Sequence, residues 1–248
     1  MPKIRVILFD FGNTIVKVVY NYDIQVSTLY NFFLKEGFII PSFWDFKEVY
    51  SRTRDKQLQI SQKTLKEYDF GERFCKVLER FGYSCDPKND VIVKAINLYT
   101  SVLFSGAELQ AGLKDLLRDF KTVFKLKLGI VSNFPWPKAL LTTLKKFKII
   151  DFFDTITISS DVGWKKPHKA IFKKAIADLK IPVSKTIFVG NNFYADIYGA
   201  KKFGIRAAYL KSNENAQTAF KVNGIMVKPD WVIKSLNGIK NILKQYYY

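Results

Sequence analysis

Four short stretches carry the side chains best suited to handling an anionic group. Asp10 closes the apolar run Lys3-Ile4-Arg5-Val6-Ile7-Leu8-Phe9 and is followed by Gly12-Asn13, a turn signal. Ser132 and Asn133 follow Gly129-Ile130-Val131. A hydroxyl and an amide there can donate hydrogen bonds to an oxyanion, or can simply make a turn. Lys166 stands before Pro167 in the loop Asp161-Val162-Gly163-Trp164-Lys165-Lys166-Pro167. The residue before a proline is driven to extended backbone, so this ammonium is either held on a short leash or is one more surface lysine. Asn191 and Asp196 follow Ile187-Phe188-Val189-Gly190 at the entry to a helix, where such residues serve an anion site or cap the helix.

The elements that must position these groups follow from periodicity. The near-continuous apolar run before Asp10 predicts a strand covered on both faces, as in a parallel sheet. Ligand sites of α/β proteins lie at the carboxyl ends of such strands. From Tyr22 to Phe104 the pattern is helical. One amphipathic segment runs through Val26, Leu29 and Phe33 to Gly37, and a second opens at Pro41-Ser42. A third is predicted over 64–81, weakened by Gly71, and a fourth follows Pro87. Four helices without a strand predict a small bundle inserted after the first strand. Beyond Glu108 helices and strands alternate. Helices are predicted over 109–120, 138–147, 170–179 and 195–203, with Pro167 starting the third of them. Strands are predicted over 126–131, 155–158, 186–189 and 206–210. A last strand at 231–233 and a helix over 236–243 precede a tyrosine tail, 246–248, expected to fray. The fold class is α/β: a Rossmann-like three-layer core with a parallel sheet, formed by 1–18 and 105–248, plus a helical domain over 19–104.

Composition sets limits. The chain has 248 residues, 48% hydrophobic, with no apolar run long enough to cross a bilayer and no signal-peptide layout at its start. Cys75 and Cys85 have no metal-ligand spacing and there is one His, so a disulfide or zinc framework is not expected and a reducing, cytoplasmic setting fits. The net charge of +18 comes from lysines scattered over many helices and interleaved with acids. That pattern describes a solvated surface with a general pull on phosphorylated ligands, and no specific nucleic-acid partner is expected. Nothing here fixes an oligomeric state.

The four stretches, in this order, resemble the haloacid dehalogenase-like (HAD) superfamily of hydrolases. The matching motifs are Asp10 through Thr14, Ser132, Lys166-Pro167, and Gly190 through Asp196. The helical insert between the first two is similar to the family's C1 cap. The resemblance implies that Asp10 is a nucleophile that attacks phosphorus and forms an aspartyl-phosphate later cleaved by water. It implies that Lys166 neutralises the phosphoryl oxygens and that Ser132, Asn133 and Thr14 belong to the substrate-binding set. It also implies Mg²⁺ held by Asp10, the Gly12 carbonyl, Asn191 and Asp196, all hard oxygen ligands.

The chain departs from the family pattern at two positions. Gly12 stands where family phosphatases usually carry a second Asp, the group that protonates the leaving group. Asn191 stands where a metal-binding Asp is usual, which predicts weaker metal binding. The expected activity is phosphomonoester hydrolysis of a small phosphorylated metabolite. The alternatives are metal-independent halide displacement from a 2-haloacid, and a degenerate member that binds a phospho-ligand without turnover. His168, after Lys166-Pro167, is expected in the first turn of a helix, and Trp164 either lines a pocket or packs.

Overall fold

Val6–Phe9 forms strand β1, and all four side chains are fully buried. A strand with no polar face needs cover on both sides, and β1 lies inside a parallel sheet. The structure, a computed structural model, describes residues 3–211, 219–222 and 224–247. After β1 the order is β2 (Val16–Lys17), α1 (Tyr22–Lys35), α2 (Phe43–Thr64), α3 (Phe70–Glu79), α4 (Asp90–Leu103) and β3 (Glu108–Leu109). Then follow α5 (Leu113–Thr122), β4 (Lys127–Ser132), α6 (Pro137–Lys146), β5 (Thr155–Ile158), α7 (Ser159–Val162), α8 (Lys169–Leu179) and β6 (Thr186–Gly190). A π-helical turn, Phe193–Tyr198, runs into α9 (Gly199–Lys202) and β7 (Arg206–Leu210). A hairpin of β8 (Phe220–Val222) and β9 (Ile225–Val227), then β10 (Trp231–Ile233) and α10 (Gly238–Tyr247), complete the chain.

The main sheet has the order β10-β7-β6-β1-β4-β5, with every neighbouring pair parallel. From β1 the chain builds outward through β4 and β5, then crosses to the other side for β6. β1 is therefore the switch point at which such sheets open a crevice. The register is level: Phe9 pairs with Ile130 on one side and Val189 on the other. The residues that follow these three, Asp10, Val131 and Gly190, therefore emerge together at one sheet edge.

The chain divides into two compact units. One comprises Met1–Lys17, Glu108–Asn133 and Leu144–Tyr248, and contains the sheet. The other comprises Val18–Ala107 and Phe134–Thr143, and contains α1 to α4. The second unit thus takes in 134–143, which the sequence reading assigns to the core. The reason lies in side chains: Phe134 packs on Phe70 and Phe104 at 6.4 and 5.4 Å, and Trp136 Nε1 donates to Asn97 Oδ1 at 3.1 Å. Each of the four helices starts at a side chain that accepts a backbone N–H: Asn21, Ser42, Asp69 and Asn89.

Several elements differ from their sequence expectation. The helix expected over 64–81 is shorter. α2 runs on to Thr64, Leu65 turns left-handed at φ 60°, and the chain stays non-helical until Asp69 caps α3. Gly71 sits in the first turn of α3, where a Cβ would lie 2.5 Å from the Pro87 carbonyl oxygen. The helix expected from Leu109 starts only at Leu113, because Glu108 and Leu109 pair antiparallel with Lys17 and Val16. Cys75 and Cys85, expected as thiols, form a disulfide; a turn through Gly82, at φ +88°, brings their Cα atoms within 5.5 Å. The expected fraying tail is partly helical: α10 extends to Tyr247, and the Tyr246 ring meets Trp231 and the Arg206 guanidinium. Tyr248 lies outside the described residues. Among the described residues no helix is long and apolar enough to cross a membrane.

Candidate active site

The backbone of Asp10 is held before the chain turns away from the sheet: its N–H donates to the Val189 carbonyl at 2.9 Å. The next residues wind tightly. The N–H groups of Thr14, Ile15 and Val16 all approach the Phe11 carbonyl, at 3.4, 3.1 and 3.1 Å, with Asn13 left-handed at φ 57°. This loop buries Thr14 completely and brings its Oγ1 to 3.1 Å from Asp10 Oδ2 and 3.2 Å from Asn191 Oδ1. One hydroxyl hydrogen serves one of these acceptors at a time, so the other oxygen is left without that donor.

Lys166 is the centre of the cluster. Its Nζ lies 2.7 Å from Asp10 Oδ1, 2.7 Å from Asp196 Oδ1 and 2.7 Å from the Val131 carbonyl oxygen. The first and last of these are hydrogen bonds and the contact with Asp196 is an ion pair, and the lysine side chain is 1% exposed. Burial works against the ammonium, but Asp10 and then Asp196 outweigh it and hold the group above the usual lysine range. The backbone of Lys166 is clamped as well. Its N–H donates to Asn133 Oδ1 at 2.7 Å and its carbonyl accepts from Asn133 Nδ2 at 3.1 Å. The Asn133 amide, expected to face substrate, is therefore spent at both ends on the Lys166 peptide, and it positions the lysine. Ser132, buried at the end of β4, stands in register with Ile158 of β5.

The segment after Lys166 also differs from expectation. His168 N–H closes a turn on the Lys165 carbonyl at 2.8 Å, so Pro167 lies in that turn and α8 starts two residues later. His168 caps α8 through Nδ1, which accepts from Ala170 N–H at 3.3 Å, and its ring stacks on Trp164 at 4.0 Å. Partial desolvation, with Lys169 and Lys202 nearby, lowers the imidazole pKa and keeps the capping nitrogen free of a proton.

Asp196 is 1% exposed, and its Oδ1 is held by an ion pair without a hydrogen bond of good geometry. Oδ1 faces Lys166, and Oδ2 accepts from Asn192 N–H at 2.9 Å, while Asn192 Oδ1 accepts from Ala195 N–H at 2.8 Å. This reciprocal cap is what aims a π-helical residue back under the sheet edge. Burial pushes the Asp196 carboxyl up to about 6 against the pull of Lys166. A carboxyl held at about 6 beside a raised lysine is consistent with an ionised pair at neutral pH. Gly190 allows the approach, since a Cβ there would lie 2.5 Å from the Cβ and Cγ of Asp196. Gly190→Ala is therefore expected to displace Asp196 and destabilise the protein by about 1–3 kcal/mol, read by urea unfolding. A variant as stable as the parent would show that the approach is not constrained.

Asp10, Thr14, Lys166, Asn191 and Asp196 are thus linked by direct contacts. Two contributors have no sequence signal of their own: the Val131 carbonyl, and the Asn192 cap that follows the Gly190-Asn191 step. Two carboxylates facing one ammonium leave the cluster one negative charge. Its uncharged oxygen, Asn191 Oδ1, shares a single hydroxyl hydrogen with Asp10. Such surplus hard-oxygen acceptors suit a hard divalent cation. Among the described residues no group of three or more His, Cys, Asp or Glu side chains could hold a metal, so a cation here would also need amide and carbonyl oxygens.

Comparison with known proteins bears on the family and the fold. The family model described as haloacid dehalogenase-like hydrolase matches residues 7–210. The chain is similar to a glyceraldehyde 3-phosphate phosphatase of Pyrococcus furiosus, 27% identical over 252 residues that span 99% of this chain and 95% of the relative. Among solved structures it is similar to the HAD-hydrolase YfnB of Bacillus subtilis, bound to magnesium, with a TM-score of 0.62 and 22% identity over 98% of this chain and 100% of that one. It is also similar to a 2-haloacid dehalogenase of Pseudomonas syringae pv. Tomato, with a TM-score of 0.71 and 19% identity over 98% and 99% of the two chains. At these identities the two structures speak for the fold alone.

Proposed function

For a chain that belongs to the haloacid dehalogenase-like hydrolases, we propose Mg²⁺-dependent hydrolysis of a small phosphorylated metabolite, with Asp10 as nucleophile and glyceraldehyde 3-phosphate as the first substrate to test. The observation that carries this reading is the Asp10 carboxylate itself. It stands at the switch point of the sheet, with Oδ1 bound to a buried ammonium at 2.7 Å and Oδ2 beside a donor at 3.1 Å. An oriented, charged carboxylate is a competent nucleophile towards phosphorus.

Each residue has a role in this reading. Asp10 attacks and becomes the aspartyl-phosphate. Lys166 neutralises charge as it moves onto the phosphoryl oxygens. Ser132 donates to those oxygens, Asn133 holds Lys166, and Thr14 orients Asp10. Asp10, the Gly12 carbonyl, Asn191 and Asp196 would hold Mg²⁺, which supplies charge neutralisation to a reaction between two anions.

The test is one panel on purified protein: phosphate release from glyceraldehyde 3-phosphate and from p-nitrophenyl phosphate, each with Mg²⁺ and with chelator, and halide release from 2-haloacids. Phosphate release abolished by chelator supports the proposal. A second reading, metal-independent dehalogenation, is favoured by one observation: Lys166 already bridges the two carboxylates that would hold a metal. Halide release that survives chelator selects it and overturns the first.

Gly12 leaves the leaving group without an acid from this loop. Nothing lies within 4 Å of a Cβ built on Gly12, so a side chain can start there without a clash at its first atom. Gly12→Asp is expected to raise kcat on poor leaving groups, up to the ~10²–10⁴-fold that general acid help supplies, and to change little on p-nitrophenyl phosphate. An unchanged or lower rate on both substrates would mean that another group already delivers the proton.

A further inference from the structure

The helical unit buries a guanidinium that has no carboxylate. Arg73, on α3, is 2% exposed and forms no ion pair among the described residues. Its Nε donates to Gln57 Oε1 at 2.8 Å and its Nη1 to the Tyr50 hydroxyl at 3.2 Å, while Nη2 is buried with no hydrogen-bond partner. The rings of Tyr68, Phe70 and Tyr50 lie over the guanidinium at 4.8, 5.2 and 5.8 Å. These are cation–π neighbours, the Tyr68 hydroxyl also hydrogen-bonds the Arg73 side chain, and none of them carries a counter-charge. Burial holds the phenols of Tyr50, Tyr68 and Tyr99 above their usual range, so none of them supplies an anion at neutral pH. Arginine does not shed its proton to escape such a site. A buried, uncompensated cation costs several kcal/mol in general, a cost that a bound anion would offset.

The route to it lies along α2. A groove of about 520 Å³ between α2 and α3 is lined by Gln57 and Tyr68, the two residues that also touch the guanidinium, and by the cations Lys56, Lys66, Lys76 and Arg80, together with three glutamates. In the planar guanidinium fork the hydrogens of Nε and one Nη2 hydrogen share an edge. The acceptor used by Nε is Gln57, which lines the groove whereas Arg73 does not, so the edge shared by Nε and the unpartnered Nη2 is linked to the groove through Gln57. The Gln57 amide is itself held by the Asp69 carbonyl at 2.9 Å.

We infer that the helical unit carries a binding site of its own for the oxyanion group, carboxylate or phosphate, of a small metabolite, which enters by the α2–α3 groove and accepts from Arg73 Nη2. This site is separate from the Asp10 cluster and does not depend on its chemistry.

The test observes Arg73 directly. The full-length protein, labelled with ¹⁵N-arginine, is titrated with sodium malonate and with inorganic phosphate, against sodium chloride at matched ionic strength. The Arg73 Nε–H resonance is identified by its loss in Arg73→Lys. A saturable shift of that resonance with malonate, phosphate or both, unchanged in Asp10→Asn, is expected; the two probes show which oxyanion is preferred. Gln57→Ala vacates the neighbouring acceptor, opens both hydrogens of the edge, and is expected to tighten binding several-fold. A resonance that ignores both probes, or that follows chloride equally, overturns the site. Weaker binding in Gln57→Ala overturns the assignment to the Nε–Nη2 edge.

Discussion

Asp10→Asn is expected to lower phosphate release by on the order of 10⁴-fold or more while leaving the fold intact. An amide of the same shape cannot form the aspartyl-phosphate, so the whole covalent route is lost. The surroundings tolerate the exchange. Thr14 Oγ1 can still donate to the amide oxygen, and Lys166 retains Asp196 Oδ1 and the Val131 carbonyl. Phosphate assays give the first readout and urea unfolding the second. Activity within tenfold of the parent, in a folded variant, would remove Asp10 from the chemistry.

Lys166→Met is expected to damage both activity and stability. The loss of fixed positive charge opposite the phosphoryl oxygens is expected to cost ~10²–10³-fold in rate. Removing one partner of a buried ion pair typically costs about 3–5 kcal/mol, because the remaining charge stays buried. The pH dependence follows with a definite sign. Burial already pushes Asp196 up to about 6, and Lys166 is the main influence pulling it down. Without the lysine the carboxyl rises further above its unfolded value. Such a group contributes stability that is present at low pH and lost as pH rises through its folded pKa. The deficit of Lys166→Met relative to the parent is therefore expected to be smaller at pH 5 than at pH 8. Equal deficits at both values would show that Asp196 is not the charge left stranded.

The parallel core was legible because its signals are local. An apolar strand that ends on Asp10, and Gly190-Asn191 at another strand's end, mark the sheet edge from composition alone. Asn133 illustrates where local signals stop. An amide after a strand looks like a ligand donor, and only the fold brings it against the Lys166 peptide. Glu108 and Leu109 looked helical because they adjoin an amphipathic run, whereas pairing with Lys17 and Val16 overrode propensity. The helical segment expected through 64–69 failed for the opposite reason: α2 consumed its start, and the Asp69 cap set a new one. Spacing could not pair Cys75 with Cys85, because the return through Gly82 decides their distance. Asp10, Lys166 and Asp196 are far apart in the chain, and the pairing of β1 with β4 and β6, and of β4 with β5, makes them neighbours.

That register also sets the order in which the molecule can be built. Val6 pairs with Lys127 and Thr186, so the first strand of the core waits for partners encoded on the far side of the helical unit. The helices of Val18–Ala107, in contrast, pack mainly on one another. Contacts of such unequal contact order form at unequal rates, because a long loop must close before β1 is rewarded. On a ribosome the helical unit can gather its aromatic core first, while β1 stays an unpaired apolar segment until β4 emerges, and gains its second neighbour only with β6. The strand that presents the acid is thus made first but secured only after the whole helical unit has been synthesised, and in that interval the apolar segment on which the site depends has no sheet partner.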